Sequence, residues 1–382
     1  MEESAENRTL RPLRVLITNH FLRSRTGSEL YVYELATNLL QRGHTPIVYS
    51  PKLGALALEL RDATVPVVDN LDAIGARPDL IHGQHHAETM TALLRFSDTP
   101  AIFFCHGWLP WEETPPKHPR ILHYVAVDDT CRDRLVFEHA IPDERVTVIL
   151  NSVDMDEFVP RSPLPVKPAR ALIFSNKASD CTHLPAVQEA CNRTQLTLDV
   201  IGADSGNVAA RPQDLLGQYD IVFAKARCAL EALAVGSAVV LCDSVGAGPM
   251  VTTGEMVRLR QLNFGVRTLR GSLDPEGLVK EIARYDRDDA AEVSRRIRTS
   301  AGRKSAIDQI LALYNETLEE FKMCTRDHEG EARAEALYLR EVVKHFEEQC
   351  ETLRNSRTFK LRNRVLNFPL AGRLLRSLAS RF

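Results

Sequence analysis

Short apolar runs alternate with stretches whose apolar residues recur at helical spacing, and this alternation fills most of the chain. Leu13–Asn19 (LRVLITN) is rich in β-branched residues and reads as a buried strand. Ser28–Gln41 follows, with Leu30, Val32, Leu35, Leu39 and Leu40 on a helical repeat; Gly43 ends the helix and Pro46–Ser50 is the next strand. The result is a parallel β-α-β unit. Strands are predicted again at Leu80–His82, Ala101–Cys105, Tyr124–Val127 and Val146–Leu150, with helices near Ala87–Phe96 and Thr130–Glu138. Pro160–Pro168 holds four prolines in nine residues and reads as a stiff linker. The pattern then restarts. Strands are expected at Ala171–Ser175, Thr197–Ile201, Asp220–Phe223 and Ala238–Cys242, and helices at Leu184–Thr194, Cys228–Val235, about Asp274–Tyr285 and Ala290–Glu320.

These elements divide the chain into a polar leader (1–12), a first α/β half (13–159), the linker (160–168), a second α/β half (169–322) and a helical extension (323–382). The extension differs in character. Gly330–Arg354 is helical and charged, with a loose stripe of Leu337, Val342, Phe346 and Leu353 that suits either a coiled coil or packing on the first half. Residues 351–382 carry eight Lys/Arg against the single acid Glu351, interleaved with apolar residues. Such a segment, 354–382 in particular, is suited to an anionic membrane surface.

Composition narrows the function classes. A length of 382 residues exceeds what one core supports, in keeping with two domains. Charged residues make up 26% and the net charge is −3, so no basic excess points to nucleic acid. No run approaches the length of a membrane span, and the polar N-terminus lacks the apolar core of a signal peptide. The eight cysteines are scattered without a CxxC pair, which suggests reduced thiols in a cytoplasmic protein.

Three segments carry candidate chemistry. Thr26-Gly27-Ser28-Glu29 opens a helix after a strand, so free backbone N–H groups there suit an anion; Ser28 as an ordinary N-cap is the plain alternative. Only Gly27 occurs where a dinucleotide fingerprint needs three glycines, which argues against a dehydrogenase. His106 follows the strand AIFFC, where ligands of open α/β sheets bind. His82, His85 and His86 lack the carboxylate or thiol spacing of a metal site, so no metal is assigned. In Asp220–Thr253 a helix of small residues carries Glu231, fit to accept two ribose hydroxyls, while Lys225 and Arg227 suit a diphosphate. An internal Glu231–Arg227 pair at i, i+4 is the competing reading.

Four stretches together resemble the GT-B glycosyltransferases of the group 1 / family 4 type. They are TGSELYVYELATNLLQRGHTPIVYS, PDLIHGQHH with FFCHG, YVAVDDTCRDRLVFEHAIPDERVTVILNSVDMDEFVP, and YDIVFAKARCALEALAVGSAVVLCD. The resemblance implies two Rossmann-like domains facing a cleft, with the acceptor in the first and a UDP- or GDP-linked sugar donor in the second. It implies His106 beside the transferred sugar and Gly27 and Ser28 at the donor phosphates. Glu231 would hold the ribose, and Gly246 and Gly248 would form a turn beside the donor. Lys177 stands where the family has a phosphate-binding lysine, and the first glutamate of the E-x7-E pair falls on Phe223. The implied activity is sugar transfer to a glycan or lipid-linked acceptor, usually with retention and without an essential metal, in polysaccharide assembly at the inner face of a membrane. Phe223 supports the alternative, a catalytically silent module of the same fold that binds a glycan or protein.

Overall fold

The computed structural model describes residues 11–25 and 27–366; the first ten residues, Thr26 and the tail segment 367–382 lie outside that description. The first sheet consists of Arg14–Thr18 (β1), Thr45–Tyr49 (β2), Val67–Val68 (β3), Leu80–Gln84 (β4), Ala101–Cys105 (β5), Ile121–Ala126 (β6) and Val146–Val148 (β7). The order is β3-β2-β1-β4-β5-β6-β7 and every pairing is parallel. Strands of such a sheet are covered on both faces, so they read as unbroken apolar runs; β5 and β6 are buried along their whole length. Its helices are Gly27–Gln41 (α1), Ala55–Asp62 (α2), His86–Arg95 (α3) and Asp129–Asp133 (α4). The helix expected over Thr130–Glu138 widens to a π-type turn at Arg134–Glu138.

The second sheet runs β12-β11-β10-β8-β9, from Arg170–Phe174 (β8), Thr197–Ile201 (β9), Ile221–Ala224 (β10), Ala238–Asp243 (β11) and Gly246–Met250 (β12). All pairings are parallel except β11 with β12. Its helices are Leu184–Thr194 (α5), Gln213–Leu216 (α6), Ala226–Val235 (α7), Met256–Gln261 (α8), Pro275–Ile282 (α9) and Arg287–Ser300 (α10). The linker is fastened to this half, with Arg161 paired to Asp220 at 3.0 Å and Leu164 buried in its core.

The helix expected over Ala290–Glu320 is two helices. Ala301 O accepts from Val153 N, and Arg303 N donates to Val153 O, each at 2.9 Å. Those backbone groups serve a bridge to another segment and cannot continue a helical ladder. The chain turns there, and Arg303–Met323 (α11) heads back to the first half. Ile307, Ile310, Leu311, Leu313 and Tyr314 share one core with Val15, Ile17, Leu35, Ile102 and Phe104. Sequence order assigns 303–322 to the second half, whereas its buried face belongs to the first.

A second compact unit comprises Pro116–Pro119 and the chain from Thr325 onward. It holds His328–Asn355 (α12) and Arg357–Leu366 (α13), with Asp327 capping α12 by accepting from Gly330 N at 2.8 Å. Among the described residues no helix is long and apolar enough to cross a membrane.

Candidate active site

In each sheet the strand order reverses once, between β1 and β4 and between β8 and β10, and ligands of open α/β sheets bind beyond the strand ends at such points. A cavity of about 330 Å³ opens in this region. Gly27 and Ser28 at the start of α1, His106 and Glu113 after β5, and Ala226 and Arg227 at the start of α7 all line it, as do Glu34 and Arg303. Two helix N-termini from different halves therefore converge on one space, each with the positive end of its dipole, although the first amide of α7, Ala226 N, donates to Phe264 O at 2.8 Å. Of the residues expected to bind donor or sugar, the cavity gathers His106, Gly27, Ser28 and Arg227. Lys177, Lys225, Glu231, Gly246 and Gly248 do not line it.

Within the loop before α1, the Glu29 carboxylate accepts from Arg23 N at 2.7 Å and Ser24 N at 3.0 Å. The loop's own amides are thus taken up by a side chain of the helix they precede.

The cleft cations are held by carboxylates. Arg227 donates to Glu231 Oε1 at 2.7 Å and to Glu34 Oε2 at 2.9 Å, and Arg303 contacts Glu34 at 2.7 Å and Asp154 at 3.1 Å. Burial works against the Arg227 charge, but Glu34 and Glu231 more than offset it and hold its pKa above the usual range. Burial raises the pKa of Glu231, and Arg227 opposes the rise. Glu231 is therefore in the i, i+4 ion pair that competed with the ribose reading, and it is 5% exposed.

His106 packs edge-on against Tyr31, ring centres 4.5 Å apart. Its Nε2 is buried with no hydrogen-bond partner among the described residues. Burial, helped by nearby His85, lowers its pKa to about 3, so the ring is neutral across physiological pH. Beside it, Glu113 Oε2 accepts from His106 N at 2.8 Å. Burial pushes the Glu113 carboxyl up to about 7, against the pull of that backbone bond and of Arg134. The cleft thus holds a neutral imidazole next to a carboxyl that titrates near neutrality.

A second polar cluster sits at the ends of β8, β10 and β11. Lys225 pairs with Asp243, whose Oδ1 accepts from Ser175 Oγ at 3.0 Å and Ser244 N at 2.8 Å. The buried His183 ring stands in the field of Asp243 and Lys225, and neither ring nitrogen has a hydrogen-bond partner among the described residues. Gly202 lets β9 come close: a Cβ there would stand 1.8 Å from Ser175 O. Lys177 is exposed at this edge.

Gly246 and Gly248 lie in strand β12, not in a turn, outside the cavity lining. Their lack of a side chain serves packing, since a Cβ on Gly248 would meet Thr268 O at 2.7 Å and one on Gly246 would meet Leu269 O at 2.9 Å. Phe223 is fully buried in β10.

Ala226, which lines the cleft just before Arg227, is a non-glycine residue with positive φ (+48°). Such a conformation costs free energy. The sequence did not single out Glu34, Glu113 or Arg303. Glu34 looks like an ordinary polar position of α1, and only the fold brings it to Arg227, 193 residues away.

Residues 25–157 match Glycosyltransferase Family 4. The chain has the GT-B fold, and its first half is similar to that family. A glycosyltransferase from Rickettsia africae superposes with a TM-score of 0.61 at 16% identity, covering 81% of this chain and 99% of the other. HepE of Anabaena, in complex with UDP, gives 0.60 at 14% identity over 80% and 100%. Sucrose-phosphate synthase of Thermosynechococcus elongatus gives 0.57 at 11% identity over 81% and 100%. No curated protein matches the sequence. The matched segment holds α1, β5 and the His106–Glu113 part of the cleft.

Proposed function

We propose that the protein transfers a sugar from a nucleotide-sugar donor to a hydroxyl of a glycan or lipid-linked acceptor. The observation that carries this is the convergence of the α1 and α7 N-termini, with Arg227 and His106, on one cavity. Sugar transfer from a nucleoside diphosphate builds negative charge on the leaving phosphate, and preorganised N–H groups and a guanidinium stabilise that charge. Arg227 releases one of its carboxylate partners as the diphosphate arrives. The neutral His106 presents Nε2 to the transferred sugar. The Ser175–Lys225–Asp243 cluster, with His183, holds the nucleoside side of the donor. Lys177 and Glu231 complete that site in this reading, and the anomeric configuration is retained. HepE was crystallised with UDP and with UDP-glucose, which favours a UDP-linked donor here. The basic tail, most of it beyond the described residues, would keep the protein at an anionic membrane surface on the cytoplasmic side, where lipid-linked acceptors of polysaccharide assembly reside.

A second reading has its own support. Lys225, Arg227 and Arg303 are each paired with carboxylates, and Phe223 replaces a family glutamate, as fits a module of this fold that binds without turnover. Thermal denaturation with UDP, GDP, ADP, CDP and dTDP separates the two. A nucleotide at 100 times its Kd adds about 2.7 kcal/mol of stability. Stabilisation by one nucleotide, lost in Lys225→Ala, is the expected result. No stabilisation by any of the five overturns the donor site and leaves the silent module.

A further inference from the structure

The helix α12 spans 28 residues and keeps a row of apolar side chains in solvent: Leu339 is 63% exposed, Val343 48%, Phe346 57% and Leu353 62%. Their spacing is not that of an ordinary amphipathic helix. Ala332, Leu339, Phe346 and Leu353 recur every seven residues, and Ala336, Val343 and Cys350 recur every seven between them. Together they form an uninterrupted 4-3 alternation over three heptads, with no polar residue at any of its seven positions. In heptad terms the first set occupies d and the second a, and all seven are exposed.

We infer that α12 pairs with α12 of a second copy of this chain as a parallel two-stranded coiled coil. Three observations select this occupant. The a/d row is the narrow seam of a coiled coil, with Val at a and Leu at d in its centre, the combination that favours two parallel strands. The flanking charges agree: the g-to-e pairs Glu335–Arg340, Val342–Glu347 and Gln349–Arg354 juxtapose no like charges, with Glu335 also 3.8 Å from His118 of its own chain. The antiparallel alternative sets Arg333 against Arg354. Finally, the helix carries seven acidic and four basic residues. A helix lying on an anionic membrane needs a cationic polar face, so this one is suited to a protein partner instead.

The seam places Cys350 at an a position, where the two copies' thiols face each other across the two-fold axis in the parallel register. In the antiparallel register Cys350 faces Leu339. The test uses the full chain with the exposed Cys181 and Cys324 changed to serine. Diamide takes two electrons and two protons from a pair of thiols and leaves one disulfide. The expected result is a dimer by sedimentation equilibrium at about 20 µM, and near-complete Cys350–Cys350 cross-linking within minutes. Val343→Glu/Phe346→Glu should be monomeric and still folded, because in the single chain both side chains lie outside its own core. A monomeric parent chain at that concentration overturns the proposal, as does one that instead binds phosphatidylglycerol vesicles through this face. A dimer in which Leu339→Cys cross-links to Cys350, while Cys350 does not cross-link to itself, overturns the parallel register.

Discussion

Replacing Glu113 by Gln should change how the stability of the His106 loop depends on pH. The wild-type carboxyl titrates at about 7 in the folded protein because it is buried, against 4.5 for the free group. Between these values the folded state holds a proton that the unfolded state has released, so stability falls as pH rises from about 4.5 to about 7 and is then level. Below about 4.5 both states are protonated and the penalty vanishes. From pH 5 to pH 8 this single group removes about 2–3 kcal/mol from the wild type. Glutamine keeps the acceptor for His106 N but cannot ionise, so the variant should lack that loss. Stability relative to wild type therefore rises by about 2–3 kcal/mol between pH 5 and pH 8. The assay is urea denaturation followed by tryptophan fluorescence. The only two tryptophans, Trp108 and Trp111, lie within five residues of position 113, so the signal reports this segment. Histidines that titrate in the same range are common to both proteins and largely cancel in the difference. A wild-type-minus-variant difference that is the same at pH 5 and pH 8 would refute the reasoning, since it means Glu113 is ionised at both.

Arg227→Leu leaves Glu34 and the buried Glu231 without their shared partner and should destabilise by about 3–5 kcal/mol. Arg227→Leu/Glu231→Leu should recover part of that in thermal denaturation, because no unpaired buried charge remains on α7. His106→Ala should lower transferase turnover by about 10²–10³-fold while nucleotide affinity holds, if Nε2 meets the transferred sugar; equal loss of both by calorimetry and kinetics would place His106 in donor binding instead. Gly248→Ala should cost about 1–3 kcal/mol through its clash with Thr268 O, with unchanged nucleotide affinity in the folded protein. A specific loss of affinity at constant stability would return Gly248 to the donor site.

The sequence by itself determined the parallel strands of the two sheets, because strands covered on both faces must be apolar throughout, and runs such as AIFFC and ALIF carry that requirement openly. Strand–loop–helix junctions also announce themselves in the sequence, by small residues before a helical repeat. Gly27, Ser28 and Arg227, nominated at such junctions, and His106, nominated from its place after a strand, line one cavity. Which partner each group chooses was decided only by the tertiary structure. Glu231 is one position among small residues in either reading, and its Arg227 pair depends on Glu34 arriving from α1. Gly246 and Gly248 look like a ligand turn until Thr268–Gly271 lies against them. The break at Ala301–Gly302 follows from Val153 taking the backbone groups of a distant segment. Apolar periodicity is a local property that survives in the sequence, whereas pairing of charges and backbone groups over a hundred residues apart is fixed only when the chain closes on itself.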